Sequence, residues 1–167
     1  MDHVDRILAQ WRRERPDLDV APMGTIGRLG RIARRLSAEM EKTFAAFGLN
    51  GASFDVLATL RRSGPPYALC PGDLMATAMV TSGTMTNRID QLEKAGLVER
   101  RNNPEDARSV IIALTPKGFG LIEEAVAAHV ATQARLMSPL SKDERAELDR
   151  LLSTFLSRME DDRAGDA

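Results

Sequence analysis

The chain has 167 residues, of which 43% are hydrophobic and 28% are charged. These proportions are typical of a soluble globular protein, and the length suffices for one compact domain with a substantial core. The formal net charge of −1 excludes an overall basic character, so any binding to nucleic acid must come from a local basic face. A single cysteine excludes an internal disulfide and no apolar run reaches membrane-spanning length. We therefore expect a cytoplasmic protein that does not associate with a membrane.

The N-terminal third predicts two helices. In the first, over residues 2–13, apolar residues recur at the i, i+3, i+4, i+7 spacing of one helix face: Val4, Ile7, Leu8 and Trp11. A loop around Pro16 separates this helix from a long helix over residues 22–47. Gly48 follows directly and is predicted as the residue that ends the long helix.

Residues 50–115 predict a winged helix-turn-helix. Asn50 caps a helix that Gly64-Pro65-Pro66 ends, and a short helix over residues 71–78 comes next, with its Leu74 and Met75 predicted to point inward. A tight turn then leads into a second helix that stops at Gly96. A predicted hairpin of strands 97–101 and 109–114 completes the unit.

The second helix of this unit begins with more small hydrogen-bonding residues than a helix cap requires. Such side chains, followed by an amide and a guanidinium, are suited to phosphates and base edges in the major groove. The hairpin alone fits a solvated surface hairpin as well as a DNA-contacting wing, but its position after this helix favours the wing. The predicted DNA-binding residues are Ser82, Thr84, Thr86, Asn87, Arg88, Arg101, Asp106 and Arg108.

The C-terminal part predicts two further helices. The first starts at Thr115-Pro116, and Ser141 with Glu144 forms the capping box of the second. These helices and the long N-terminal helix carry more apolar surface than a winged core can cover, which indicates a two-fold homodimer.

The fold class is therefore mainly α with a small β-hairpin wing, a winged helix-turn-helix flanked by N- and C-terminal dimerisation helices. Within one compact domain we expect three parts and a tail. They are residues 1–49 with the extra N-terminal helix and the long dimerisation helix, 50–115 with the DNA-binding core, 116–160 with the C-terminal dimerisation helices, and a frayed tail at 161–167.

The sequence offers no support for catalysis. His3 and His129 are far apart, Cys70 has no second cysteine, and no phosphate-binding glycine loop or recognisable Ser/His/Asp set occurs. We therefore expect no enzyme activity, no catalytic residues, no metal ligands and no cofactor. Two alternatives remain: a thiol redox-sensing regulator acting through Cys70, and a dimeric adaptor that kept the fold and lost DNA binding.

The residues 82–93, 96–101, 106–108 and 114–118 together resemble the MarR family of bacterial transcription regulators. The resemblance implies a homodimer, joined by N- and C-terminal helices, that usually represses nearby genes. A two-fold dimer with one recognition helix per chain is expected to bind a pseudo-palindromic operator in double-stranded DNA. The resemblance also implies release of the DNA when a small phenolic or other anionic ligand binds.

The extra N-terminal helix resembles the urate-responsive branch of that family. In that branch a Trp on the first helix, an Asp on the helix before the winged core and an Arg at the end of the first wing strand serve the ligand pocket. The matching residues here are Trp11, Asp55 and Arg100, whereas Ala33 stands where the branch has a His. The resemblance thus implies an anionic aromatic ligand, with urate itself in question. Alternatively, Trp11 only anchors the extra helix, and Asp55 with Arg100 forms only an ion pair between two elements.

Overall fold

The computed structural model describes residues 1–78, 85–103 and 109–165, the last four without their side chains. Residues 79–84, 104–108 and 166–167 lie outside this description. Within the described ranges the chain is mainly helical with one small sheet. Its elements are α1 (His3–Glu14), α2 (Ala21–Ala45), α3 (Gly51–Arg62), β1 (Ala68–Leu69), α4 (Pro71–Thr77), α5 (Met85–Lys94), β2 (Val98–Asn102), β3 (Val110–Leu114), α6 (Pro116–Met137) and α7 (Lys142–Gly165).

The helix ends follow local capping chemistry. Asp2 caps α1, and the side chain of Asn50 accepts a 2.9 Å hydrogen bond from the Ser53 amide at the start of α3. After α2 and α5, Gly48 and Gly96 adopt φ of +69° and +70°, the left-handed conformation in which only glycine avoids a Cβ penalty. The cap at Asn50 and the stops at Gly48 and Gly96 agree with the sequence prediction, although α2 itself ends at Ala45 rather than at residue 47.

The predicted hairpin is confirmed as the antiparallel pair β2–β3, and among the described residues a third short strand, β1, which the sequence did not predict, extends it to a three-stranded sheet. β3 lies in the middle and pairs antiparallel with both neighbours, so that the strand order is β1-β3-β2. Ala68 pairs with Ala113 and Leu69 with Ile112, whereas Arg100 of β2 faces Ile112 from the other side. A strand of two residues after a Pro-Pro turn is too short to produce an alternating pattern, which is why the sequence does not reveal β1.

The main core joins α3 to the helix-turn-helix, the sheet and the start of α6. Its completely buried large side chains are Val56, Leu57, Leu60, Leu74, Val98, Ile112 and Ile122. The prediction for Leu74 is confirmed, but the prediction for Met75 is wrong, because Met75 is 43% exposed. Adjacent side chains of a helix point about 100° apart, so Leu74 of α4 faces the core while Met75 does not.

Helix α1 packs on α2 around a second, smaller apolar cluster of Val4, Leu8 and Val20. The approach is close, since a Cβ at Gly24 would lie 3.0 Å from Cδ1 of Leu8. Arg28 of α2 pairs with the carboxylates of Asp2 and Asp5.

The Arg28 hydrogen bond lowers the pKa of Asp2 to about 2, so the pair with Asp2 persists in mild acid. Of the four apolar residues on the predicted face of α1, only Val4 and Leu8 are buried. Ile7 is 37% exposed and Trp11 is 41% exposed.

The chain forms two compact units, residues 1–129 and residues 130–167, and the boundary falls inside α6. In the second unit, α7 begins with the predicted Ser141/Glu144 capping box and continues beyond residue 160 as far as Gly165. This helix exposes large apolar side chains, between 42% and 58% each: Leu151, Leu152, Phe155, Leu156 and Met159. No helix in the described ranges is long and apolar enough to cross a membrane.

Candidate DNA interface and ligand site

Helix α5 is the second helix of the helix-turn-helix, and its two sides differ in character. Met85, Ile89 and Leu92 are buried and fix one side against the core. Thr86 and Asn87 lie on the exposed side, where a hydroxyl and an amide are available to a partner. An exposed polar face on a rigidly packed helix is what major-groove recognition requires. Ser82 and Thr84, the other two predicted residues of this helix, lie outside the described residues.

Arg88 points back towards α3, which the sequence did not indicate. Its Nη1 donates to Oδ1 of Asn50 at 2.8 Å and to Oγ of Ser53 at 3.4 Å. Its Nε is buried and has no hydrogen-bond partner in the described part of the chain. Arg88 therefore ties α5 to the N-terminus of α3, and a role in DNA contact stays a prediction that must use its remaining donors.

Arg100 on β2 is held by two carboxylates of α5. Its guanidinium pairs with Asp90 through Nη2 and with Glu93 through Nη1, and its backbone amide donates to Oε1 of Glu93 at 3.2 Å. The hydrogen bond with Asp90 raises the pKa of Arg100 further, so the side chain stays charged at every relevant pH. Arg100 thus fastens the first wing strand to the recognition helix.

The base of the wing is closed by Asn103 and Ser109. The backbone N–H of Asn103 donates to the Ser109 carbonyl oxygen at 3.0 Å, and the side-chain Nδ2 of Asn103 donates to the Ser109 hydroxyl at 2.9 Å. Arg101 is exposed on β2 and pairs with Glu99. Asp106 and Arg108, the predicted wing-tip residues, lie outside the described residues.

The three predicted ligand residues lie on three different elements. Trp11 is on the exposed part of α1, Asp55 is half-buried in α3, and Arg100 is on β2. Arg100 pairs with Asp90 and Glu93 of α5, and the alternative of an ion pair between Asp55 and Arg100 stays a prediction. The sequence did not distinguish among these acids, since the choice depends on how β2 packs against α5. A ligand role for the three residues stays a prediction.

Cys70 is the N-cap residue of α4, and its thiol donates to the carboxylate of Asp73 at 3.0 Å. Reactive cysteines lie in electropositive surroundings, and a neighbouring carboxylate is the opposite. Among the described residues, no group of three or more His, Cys, Asp or Glu side chains is arranged to hold a metal ion.

His129 packs against two phenylalanines. Its ring centroid lies 5.1 Å from that of Phe44 and 4.9 Å from that of Phe54. Its Nδ1 is buried without a hydrogen-bond partner among the described atoms, and burial lowers the pKa of His129 below its ordinary value. The neutral ring is therefore the form that this environment favours.

A helix-turn-helix with an exposed polar recognition helix, followed by an antiparallel wing, defines a winged-helix DNA-binding protein. A profile of the MarR family matches residues 49–110. The chain is also 44% identical over 149 residues to the HTH-type transcriptional regulator PecS of Dickeya dadantii, covering 89% of this chain and 90% of that protein. The chain belongs to the MarR family of transcription regulators. It is a DNA-binding regulator and not an enzyme.

Two solved structures are similar to this chain over most of its length. One is a cysteine-to-serine variant of Escherichia coli MarR in complex with operator DNA, with a TM-score of 0.69, 26% identity and coverage of 82% of this chain and 95% of that chain. The other is Bordetella bronchiseptica BpsR, described in terms of regulation of its DNA binding by 6-hydroxynicotinic acid. It has a TM-score of 0.67, 28% identity and coverage of 77% of this chain and 90% of that chain.

Proposed function

We propose that this chain is a repressor that binds a pseudo-palindromic operator as a homodimer. The observation that carries the proposal is the division of α5 into a buried apolar side and an exposed side with Thr86 and Asn87. One such helix per chain reads one half-site, so two copies related by two-fold symmetry read a palindrome.

The apolar surface of α7 supports the dimer. Five large apolar side chains of this helix, from Leu151 to Met159, are each 42% or more exposed in the single chain. A patch of this kind is unfavourable in water, and its burial against a second copy stabilises the pair by roughly 25 cal/mol for each Å² of apolar surface removed from water. The similarity to E. coli MarR, whose structure contains operator DNA, adds support.

The proposal is tested by titrating the DNA upstream of the chain's own gene, with a random duplex of equal length as the control. We expect tight, salt-dependent binding of two chains per site and half-sites centred about 10 bp apart. Equal affinity for both duplexes would contradict the repressor assignment. Absence of any salt-dependent DNA affinity would favour the dimeric adaptor that lost DNA binding.

We further propose that a small anionic aromatic ligand weakens the DNA complex through Arg100. Arg100 is a permanently charged group that joins β2 to α5, and the similar BpsR is described as regulated by an aromatic acid. An incoming carboxylate competes with Asp90 and Glu93 for the guanidinium, and so loosens the recognition helix from the wing. Such a ligand must bind the non-DNA-binding conformation more tightly, since equal affinity for both conformations shifts nothing.

The ligand proposal is tested by titrating aromatic and purine-like acids while following Trp11 fluorescence and the DNA complex in parallel. Trp11 is the only tryptophan, so any quenching reports on α1. We expect quenching and DNA release at the same concentrations, with urate acting poorly because Ala33 offers no imidazole. Absence of both signals at millimolar acid would contradict the proposal. The redox alternative requires peroxide to abolish DNA binding and Cys70→Ser to prevent that loss.

A further inference from the structure

The first turn of α6 is fastened to the end of the recognition helix. The side chain of Lys117 donates from Nζ to the carbonyl oxygen of Ala95 at 2.8 Å. The hydroxyl of Thr115 donates to the carbonyl oxygen of Gly96 at 2.7 Å, and the Thr115 amide donates to the carbonyl oxygen of Leu97 at 3.1 Å. Three consecutive carbonyls after α5 are thus bound from α6 or its N-terminal flank.

These bonds engage the three carbonyls that directly follow α5 and lie beyond its own hydrogen-bond pattern. A cation at this end of a helix also interacts favourably with the negative end of the helix dipole. Lys117 supplies such a cation at the C-terminal end of α5. Although the side chain is exposed, its ammonium group already has a protein partner.

Gly118 allows the backbone of α6 to approach the backbone of Leu97, just after α5, very closely. A Cβ at this position would lie 1.9 Å from the carbonyl oxygen of Leu97 and 2.8 Å from its carbonyl carbon. The clash would be with backbone, which cannot turn away as a flexible side chain does. The Gly118 amide also donates to the Thr115 hydroxyl oxygen at 2.9 Å, so this hydroxyl both donates and accepts and has a fixed orientation.

We propose that Lys117, Thr115 and Gly118 are positioning residues for DNA recognition, which set the angle of α5 without touching DNA. Thr86 lies about 12 Å along the helix from Lys94, at 1.5 Å per residue. A tilt of about 10° around the fastened end displaces Thr86 by about 2 Å, which exceeds the tolerance of a hydrogen bond to a base edge. This inference rests on the proposed role of α5 in reading the operator.

The experiment compares Lys117→Met with Lys117→Arg and with the matched control Lys94→Met. Lys94 is an exposed lysine at the last position of α5, so its substitution changes the net charge equally. Operator and random-duplex affinities are measured over a range of salt concentrations, together with the melting temperature. Amide hydrogen exchange at residues 95–97 reports on the end of α5 in the absence of DNA.

We expect Lys117→Met to reduce the ratio of operator to random affinity by about tenfold, with an unchanged salt slope and faster exchange at residues 95–97. Lys117→Arg restores both readouts because it retains a cationic donor, and Lys94→Met leaves both as in the wild type. A salt slope reduced by about one, with equal loss on both duplexes, would overturn the proposal and make Lys117 a phosphate contact.

The positioning role and the proposed function fail separately. If the wild type does not distinguish operator from random DNA, the function fails, and the exchange rates still decide whether Lys117 holds the end of α5. If exchange at residues 95–97 is the same in Lys117→Met and Lys94→Met, the positioning role is overturned whatever the DNA affinities are.

Discussion

Arg88 on the recognition helix donates a 2.8 Å hydrogen bond from Nη1 to Oδ1 of Asn50, the N-cap residue of α3. The same oxygen accepts the Ser53 amide at 2.9 Å, so one amide side chain both begins α3 and holds α5. A guanidinium has five N–H donors, and this bond occupies only one of them. Because Nη1 also donates to Ser53 and Nε is buried, a further partner of Arg88 must be bound through Nη2.

We predict that Arg88→Ala costs about 1–3 kcal/mol of operator affinity and removes sequence preference, because the base contact and the correct placement of α5 are lost together. The measurement is a competition titration with single-base operator variants. Gln91→Ala, an exposed substitution further along the same helix, is the control and should bind as the wild type does. A loss that is equal for operator and random DNA would contradict base recognition by Arg88.

A substitution in the wing is expected to change DNA affinity without changing sequence preference, unlike Arg88→Ala. If Arg108 contacts the DNA backbone, Arg108→Ala lowers the affinity for the operator and for a random duplex by the same factor. It also reduces the slope of log affinity against log salt concentration by about one. Affinities measured at several salt concentrations test this directly. A selective loss on the operator alone would instead assign Arg108 to base readout in the minor groove.

The carboxylates that hold Arg100 should oppose an acidic ligand. We predict that Asp90→Asn tightens binding of an aromatic acid, because one competitor for the guanidinium loses its charge. Arg100→Gln should abolish the response altogether, and it should also weaken DNA binding by detaching β2 from α5. Isothermal titration with the acid measures the affinity of both variants for the acid, and a DNA titration measures the loss of DNA binding in Arg100→Gln. Weaker acid binding by Asp90→Asn would show that the acid does not compete with Asp90.

His129 predicts a dependence of stability on pH. Burial lowers the pKa of His129 in the folded chain below the value of 6.5 that it has when exposed. As the pH falls, the unfolded chain therefore binds the proton at a higher pH than the folded chain does. The contribution of buried, neutral His129 to the free energy of unfolding is complete above pH 6.5 and is lost as the pH falls towards the folded pKa. Urea unfolding at pH 7.5 and 5.5 measures the loss. His129→Gln should reduce the difference in stability between the two pH values.

Local chemistry explains why much of the fold could be predicted. Gly48, Asn50 and Thr115-Pro116 act within a few residues of their own position, and the structure has helix boundaries at each of them. The short strand β1 exists only because β3 offers it a partner, and no local pattern marks it. The exposure of Trp11 likewise depends on where α1 packs against α2.

The candidate site was less predictable because its polar contacts join distant segments. Residue type identified Arg88 and Arg100 as candidates, but their partners are separated from them by 38 residues in one case and by 7 and 10 in the other. The residue type of Lys117 likewise does not reveal that its ammonium group donates to the carbonyl of Ala95, 22 residues earlier in the chain. The packing of the elements determines which carboxylate or carbonyl each cationic side chain contacts. Composition and residue spacing do not specify that packing.

The central claim is that two copies of this chain read one palindromic site. The most direct measurement is the mass of the complex formed on the DNA upstream of its own gene, determined by light scattering together with a footprint. The account predicts two chains per duplex and two protected half-sites centred about 10 bp apart. A complex that contains one chain, or a monomer at micromolar concentration without DNA, would contradict it.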